Sequence, residues 1–165
     1  MNSIGRRFST SVPSHLLYIG LLAAILLSPA CHRDTEEDRV RKVITEIQQS
    51  AEEKKILAVL DHISMSYRDP QGYDRDGIKG LLAFYFFRHR KVSVYMPNVD
   101  IVVTGLTAKA TFQAILTGRG TGESAGTILP EALGAYNFEV LFRKEDGRWK
   151  VTSAKWERAG EGQQQ

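Results

Sequence analysis

The sequence is short of the residues that build disulfides and metal sites. Its 165 residues contain one cysteine, Cys31, and four histidines. A single thiol cannot form a disulfide within the chain, so stability in an oxidising compartment has to come from core packing. No two histidines have His-x-x-x-His spacing, whereas a zinc site needs three or four ligands. The sequence therefore predicts neither a disulfide framework nor a metal centre, and no cofactor is expected.

The sequence also lacks a membrane-spanning run and a nucleic-acid signature. Its main apolar run, residues 16–27, has twelve residues, and a transmembrane helix needs about 20. The formal net charge of +3 falls to +1 if residues 1–30 are removed, because Arg6 and Arg7 are then lost. No concentrated basic stripe and no aromatic-basic motif is present. A nucleic-acid partner is therefore not expected.

The N-terminal region has the order of a secretory signal. Arg6 and Arg7 precede the apolar run, and Ser28-Pro29-Ala30 follows it. A charged start, an apolar middle and a small-residue end are typical of a cleaved signal peptide. Because the small residues stop at Cys31, the segment resembles a bacterial lipoprotein signal peptide, with Ser28 where that family has leucine.

This resemblance implies processing, lipidation and a location. Lipoproteins are cut before the cysteine and carry diacylglycerol on its thiol, so Cys31 is the predicted lipidation site and residues 1–30 are the predicted signal. Residues 31–38 would be the lipidated N-terminus and a charged spacer. The protein would be anchored in the cell envelope by acyl chains such as palmitate and would face the periplasm. In lipoproteins, aspartate directly after the cysteine favours retention in the inner membrane. This chain has His32 at that position, so the outer membrane is expected.

The next part of the chain has two apolar stripes at helical spacing. Ser50-Ala51-Glu52-Glu53 has the form of a capping box, which favours a break near Ser50. One long helix and two helices both remain open. The residues of the two stripes are Val40, Val43, Ile44, Ile47 and Ala51, then Ile56, Leu57, Leu60 and Ile63.

A third helix is predicted after a turn. Asp69-Pro70-Gln71-Gly72 predicts the turn because proline presets φ and glycine accepts positive φ. Asp74 or Asp76 then caps the helix. Residues 84–87 are all aromatic, so the helix is apolar on more than one side, which indicates burial or a partner. Its predicted inner face contains Ile78, Leu81, Leu82, Tyr85 and His89.

After Arg90 the apolar residues alternate, which predicts strands. The parity changes at Pro97-Asn98, so a bulge or a bend is expected there. Residues 118–135 are rich in glycine and predict a mobile loop, and Glu145-Asp146-Gly147 predicts the turn of a final hairpin. Helices followed by strands predict an α+β fold with helices on one face of an antiparallel sheet. The inward residues are Val92, Val94, Met96, Val99, Ile101, Val103, Ala108, Ala110, Phe112, Ala114 and Leu116.

Two segments give this order a family resemblance. They are residues 63–74, between two helices, and the hairpin over residues 138–156 with its Asp-Gly-Arg-Trp-Lys-Val string. Together they resemble the nuclear transport factor 2-like, or SnoaL-like, cystatin-like cone fold. The resemblance implies N-terminal helices on a strongly curved antiparallel sheet, with a pocket at the open end. The domain is expected over residues 39–158, followed by a disordered tail over residues 159–165.

The candidate pocket residues are chosen by type and place. His89 is either a packed, hydrogen-bonded histidine or a base in the pocket. Tyr67 and Asp69 either build a turn or do acid–base chemistry, and Asp100 lines the pocket only if its sheet face is concave. The steroid isomerase pattern of the family cannot be mapped onto this chain, so catalytic residues stay unknown. The full set is His89, Asp100, Tyr95, Tyr85, Tyr67, Asp69 and Trp156.

The resembled family contains isomerases, cyclases, dehydratases and adaptor domains, so the fold does not settle the function. We expect a membrane-anchored periplasmic domain that binds a small amphipathic ligand or an envelope protein without catalysis. Residues 84–87 and the outer sheet face are the expected contact surfaces, and the resemblance implies a homodimer through the sheet. The alternatives are an isomerase, dehydratase or hydrolase using Asp100, His89 or Tyr95, and a structural envelope spacer.

Overall fold

Three helices precede five strands in the computed structural model, which describes residues 34–120 and 131–160. This order agrees with the helices-then-strands pattern of the sequence. The elements are α1 Glu36–Glu52, α2 Ile56–Asp61, α3 Arg75–Arg88, β1 His89–Tyr95, β2 Val99–Thr104, β3 Thr107–Gly120, β4 Glu131–Glu145 and β5 Arg148–Arg158.

The strands form one antiparallel sheet in the order β1-β3-β4-β5, with β2 also paired to β3. β2 pairs with the first half of β3 and β1 with the second half, so β1 and β2 follow each other along one edge. The chain leaves the ladder at residues 96–98, where Pro97 has no N–H to donate. The predicted bend at Pro97-Asn98 is therefore confirmed as a break in the strand.

The register places the alternating apolar residues of every strand on the same face of the sheet. One cross-strand row contains Ile101, Ala110, Val140 and Ala154. A register shift between Leu141 and Phe142 keeps the two ends of β5 on that same face. The predicted inward row of β3 is confirmed, because its alanines are buried: Ala108 5% exposed, Ala110 0% and Ala114 2%.

Helix α1 supplies the facing layer of the core. Val40 and Ile44 are 0% and 6% exposed and belong to the same apolar cluster as the sheet alanines. The helix begins with a capping box, in which Thr35 Oγ1 accepts from the Asp38 N–H at 3.1 Å and the Asp38 carboxylate accepts from the Thr35 N–H at 2.9 Å. The predicted first apolar stripe is therefore confirmed, and the sheet curls around the helices as the α+β prediction requires.

Side chains of α1 also cover the outer edge of β1 and β2. Gln48 Nε2 donates to the Val94 carbonyl at 2.7 Å, and Glu52 accepts from the Val94 N–H at 2.8 Å. Arg41 donates to the Val99 carbonyl at 3.0 Å. The backbone of the segment after α2 bonds to the outer edge of β5, where the Ser64 N–H donates to the Val151 carbonyl and the Val151 N–H donates to the His62 carbonyl, both at 2.9 Å. Part of each sheet edge is thus covered, which leaves less unpaired backbone for edge-to-edge pairing.

The break between the first two helices differs from the prediction. It lies at residues 53–55, three residues beyond Ser50, because Lys54 takes a left-handed φ of 58°, and Ser50 itself does not cap a new helix. The N–H groups of Lys54 and Lys55 bond back to the carbonyls of Ala51 and Ser50 at 3.0 and 2.8 Å, which is the way a Schellman motif ends a helix. The first helix therefore ends at Glu52, and the chain forms two helices and not one.

Helix α3 confirms one cap and corrects one face. Asp74 is the N-cap, since its Oδ1 accepts from the Gly77 N–H at 2.8 Å. Phe86 is 7% exposed and Tyr85 is 41% exposed, so the predicted inner face was wrong at Tyr85. Leu57 of α2 was also assigned to an inner stripe but is 71% exposed. Periodicity finds a helix but does not fix which side of a short or all-round apolar helix is covered.

The predicted loop over residues 118–135 is too long at both ends. β3 continues to Gly120 and β4 begins at Glu131, with Gly118 paired to Glu131. Residues 121–130 lie outside the described residues, as do the predicted signal, Cys31 and the tail after Gly160. Across residues 34–120 and 131–160, no helix is both long and apolar enough to cross a bilayer.

Candidate functional site

An aromatic ladder crosses the inner face of the sheet. Phe112 of β3 pairs with Phe138 of β4, and Phe138 pairs with Trp156 of β5. Neighbouring rings stack with centroids 5.3 and 6.3 Å apart. Tyr73, from the loop before α3, stacks on Trp156 at 6.1 Å. These four residues are only partly buried, so their rings offer contact area to a flat apolar ligand.

The ladder has inner-face rows on both sides, and Phe112 and Phe138 pack against the core cluster that contains α1 residues. On one side the next row is Ala110 and Val140, which belong to the core cluster with α1. On the other side the next row is Ala114 and Tyr136, and the Tyr136 ring lies 6.5 Å from that of Phe138. The ladder is therefore a partly buried aromatic row between two rows that contain the buried alanines Ala110 and Ala114.

His89 lies at the far end of this inner face. It ends α3, begins β1 opposite Gly120, and is 8% exposed. Its ring stacks on Tyr85 at 6.4 Å, and its carbonyl accepts from Lys54 Nζ at 2.9 Å. Among the described residues, Nδ1 of His89 has no hydrogen-bond partner. A buried imidazole nitrogen requires one, so a water or a polar ligand atom would satisfy it.

Tyr67 and Asp69 are in direct contact. Tyr67 is 2% exposed, and its hydroxyl donates to the Asp69 carboxylate at 2.9 Å. Burial, and after it the bond to Asp69, raises the pKa of the Tyr67 phenol. The second Asp69 oxygen accepts from the Tyr73 N–H at 2.9 Å. These contacts favour the turn-building alternative, because they fix the loop that holds Tyr73 against Trp156.

Asp100 and Tyr95 lie on the opposite, outer face of the sheet. Alternation requires this, because Val99 and Ile101 on either side of Asp100 face the core. Tyr95 is 62% exposed. Asp100 lines a wide surface cavity of about 430 Å³ with polar neighbours that include Thr111, Gln113, Glu139 and Lys155. The structure therefore separates these two candidates from His89, Tyr85 and Trp156.

A second histidine sits away from the ladder. Burial lowers the pKa of His62, and the Glu46 carboxylate, 3.6 Å from Nε2, opposes that shift. The His62 carbonyl accepts from the Val151 N–H, five positions before Trp156 on β5. Within residues 34–120 and 131–160, no group of three or more His, Cys, Asp or Glu side chains could hold a metal ion.

Phe112 and Phe138 are the ladder residues that sequence reasoning did not select. Parity already put Phe112 in the inward row. The sequence does not give the register of β3, β4 and β5, and only that register shows that Phe112, Phe138 and Trp156 are neighbours. The roles of the selected residues as pocket groups stay predictions.

A Gly-x-Ser-x-Gly string, residues 122–126, was also missed in the sequence and lies outside the described residues. A nucleophile elbow with this pattern joins a strand to a helix. Here the preceding element is β3 and the next described element is its antiparallel partner β4.

Helices closing a curled antiparallel sheet with an aromatic inner face define a cone-shaped α+β protein of the cystatin-like class. The model of the SnoaL-like domain family matches residues 58–155, more than half of the chain. The chain therefore belongs to the SnoaL-like family, as the resemblance implied. No curated protein matches it.

Solved structures show the same fold at low identity. A Streptomyces avermitilis protein, described as a candidate dehydratase of the NTF2-like family, matches at TM-score 0.66 and 15% identity over 77% of this chain and 99% of its own. A Novosphingobium aromaticivorans NTF2-like protein with a cystatin-like fold matches at 0.61 and 13% over 94% and 95%. Bd1075 of Bdellovibrio bacteriovorus matches at 0.61 and 8% over 74% of this chain, which covers only 40% of Bd1075. At these identities the likeness shows the fold alone.

Proposed function

We propose that this protein is a lipid-anchored, periplasm-facing protein of the cell envelope whose SnoaL-like domain binds a small amphipathic ligand without turning it over. The aromatic ladder is the observation that carries the binding proposal. Three stacked rings on the sheet and Tyr73 beside them form a surface that suits a flat apolar group.

The distribution of acids favours binding over catalysis. Asp100 and Tyr95 lie on the outer face, and the Tyr67 hydroxyl is bonded to Asp69. Acid–base work needs a titratable group within hydrogen-bond reach of the ligand. His89 is the titratable candidate of the inner face, but its partner Gly120 lies eight residues along β3 from Phe112, a distance of about 26 Å in an extended strand.

The second candidate function is that of a dehydratase or isomerase with His89 as base. The unpartnered Nδ1 favours it, and the Streptomyces avermitilis neighbour is described as a candidate dehydratase. Mass spectrometry of a ligand that co-purifies with the protein distinguishes the two functions. Ligand unchanged after incubation supports binding, and a product that has lost water or has isomerised supports the enzyme.

The ladder is tested with the amphipathic dye 1-anilinonaphthalene-8-sulfonate as the probe. We expect Phe112→Leu and Trp156→Leu each to raise the Kd of the dye by at least about fivefold, because each removes aromatic contact area. Tyr95→Leu, on the outer face, is the matched control and should leave the Kd unchanged. Circular dichroism checks that each variant is folded. Equal Kd values in all folded variants would refute the ladder as the binding surface.

The anchor is tested separately by labelling with radioactive palmitate in a bacterial host. We expect label on the wild-type chain, loss of label in Cys31→Ala, and accumulation of the precursor when globomycin blocks the lipoprotein peptidase. Density fractionation should then find the labelled protein with the outer membrane. An unprocessed, unlabelled chain in the cytosol would refute the anchor and leave the binding proposal standing.

A further inference from the structure

Helix α3 presents an aromatic stripe to solvent. Phe84 and Phe87 are 54% and 85% exposed and lie one turn apart. Lys79, Gly80 and Ala83 precede them on the same side of the helix and are also exposed. We call these five residues the α3 stripe. Scattered exposed apolar residues are ordinary, but two adjacent phenylalanines at the end of one helix form a patch that suggests a contact.

The charge at the C-terminal end of the α3 stripe is positive, while the exposed carboxylate of Asp76 lies one turn before Lys79 at the start of the helix. Residues 79–91 contain four cations and no carboxylate: Lys79, Arg88, Arg90 and Lys91. All four are exposed, and the Arg88 guanidinium lies 5.3 Å from the centre of the Phe84 ring. The stripe therefore combines aromatic rings with one cation beside them, Arg88, and with further cations on the adjoining residues of the chain.

We propose that the α3 stripe is a second membrane contact, which lies on an anionic phospholipid surface with Phe84 and Phe87 at headgroup depth. Exposed aromatic rings flanked by Lys and Arg are the combination that binds the interface of an anionic bilayer. A second copy of this chain would bring cations against cations, which disfavours self-association through the stripe.

The short spacer makes this contact easy to reach, and here the inference rests on the proposed anchor at Cys31. Helix α1 begins at Glu36, five residues after Cys31, and five extended residues span at most about 18 Å. The end of α1 is tied to the end of α3 by the Lys54–His89 hydrogen bond. An anchor at Cys31 would keep the domain close to the bilayer, so a weak second contact would be strengthened by its high effective concentration.

The test uses the full chain bound to vesicles, with tryptophan quenching by brominated phospholipid as the readout. Phe87→Trp reports on the stripe, and Leu57→Trp, at a position of α2 that is 71% exposed, is the matched control. The unsubstituted chain gives the background from Trp149 and Trp156. On vesicles with about 30% phosphatidylglycerol we expect quenching at position 87 to exceed that at position 57 at least about twofold. It should fall on pure phosphatidylcholine and in about 0.5 M NaCl.

A combined Arg88→Gln, Arg90→Gln and Lys91→Gln variant of Phe87→Trp should lose most of that quenching while remaining folded. Quenching at position 87 that is no greater than at position 57 overturns the proposal, whether the chain stays in solution or binds through another part. Crosslinking of position 87 to an acidic envelope protein, without quenching, would assign the stripe to a protein partner instead. Palmitate labelling of Cys31 does not enter this assay, so failure of the anchor and failure of the stripe are distinguishable.

Discussion

At the scale of single residues, the side chains of Lys54 and Tyr67 fix backbone segments whose conformation does not follow from the sequence pattern. Lys54 adopts a left-handed φ of 58°, which costs about 1–2 kcal/mol for a residue other than glycine. Its Nζ donates to the His89 carbonyl and so joins the end of α1 to the start of β1. Tyr67 in turn fixes Asp69, and Asp69 fixes the Tyr73 backbone. The site is therefore positioned by contacts that leave no periodic signal.

The Tyr67 hydroxyl gives a prediction at this scale. Tyr67→Phe should lower the free energy of unfolding by about 1 kcal/mol near neutral pH, because it removes one buried hydrogen bond. The folded state raises the phenol pKa above its ordinary value of 10.0, so this contribution is complete below about pH 10 and is lost as the pH rises further. Urea unfolding at neutral and alkaline pH measures both effects.

The control for this substitution is Tyr73→Phe, at a residue that is 36% exposed. It should cost less, and it should keep the wild-type loss of stability above about pH 10, whereas Tyr67→Phe should show a smaller loss. Identical alkaline profiles for the two variants would contradict the assigned role of Tyr67.

At the scale of elements, helix ends are set by local chemistry and helix faces by packing. The capping box that starts α1 uses Thr35 and Asp38, while the similar string at Ser50 begins inside the last turn of the helix and ends at its C-cap, Glu53. The same four-residue pattern caps a helix at Thr35 but not at Ser50, because only Thr35 has a non-helical backbone conformation. Glu36, beside the cap, accepts from Trp149 Nε1 at 2.8 Å and from Lys144 Nζ at 2.9 Å, which joins α1 to the β4–β5 hairpin.

The capping box leads to a prediction about the start of α1. Thr35→Ala should lower the free energy of unfolding by about 1 kcal/mol, because the Asp38 N–H loses its partner at the helix start. Thr45→Ala, an exposed change in the middle of the same helix, should be neutral or slightly stabilising because alanine has the higher helix propensity. Urea unfolding of both variants measures the difference, and an equal cost for the two would rule out a capping role.

At the scale of the whole molecule, acid stability depends on groups from several elements. Burial lowers the pKa of His62, so the folded state favours the neutral ring. A depressed histidine pKa means that the unfolded chain binds the proton more readily below about pH 6.5. Stability therefore falls as the pH drops through that range. Carboxylates with lowered pKa values, such as Asp74, contribute their own loss only at lower pH.

The contact between His62 and Glu46 makes the pH dependence testable. His62→Gln should reduce the fall in stability between about pH 7 and pH 5, because it removes the group that must be protonated. Glu46→Gln should make the fall larger, since the carboxylate that opposes the His62 shift is lost. Urea unfolding at a series of pH values is the measurement. A fall that is the same in both variants and in the wild type would exclude His62 as its source.

The sequence by itself determined the order of the helices and strands, the alternation of inward and outward residues in the strands, and the turns. The helical stripe of α1, the strand break at Pro97, the inward row of β3 and the Asp146-Gly147 turn all follow from local patterns, because periodicity and special φ angles depend on neighbouring residues. The family resemblance then gave the curled α+β cone, which the SnoaL-like family match over residues 58–155 confirms.

Only the tertiary structure decided which groups share the site. Asp100 and His89 lie eleven positions apart in the sequence, yet one lies on the outer face and the other on the inner face. Phe112, Phe138 and Trp156 are distant in sequence and stack because the register aligns them. Register and burial depend on long-range pairing. Local pattern therefore fixed the strands, and packing across the sheet fixed the aromatic ladder.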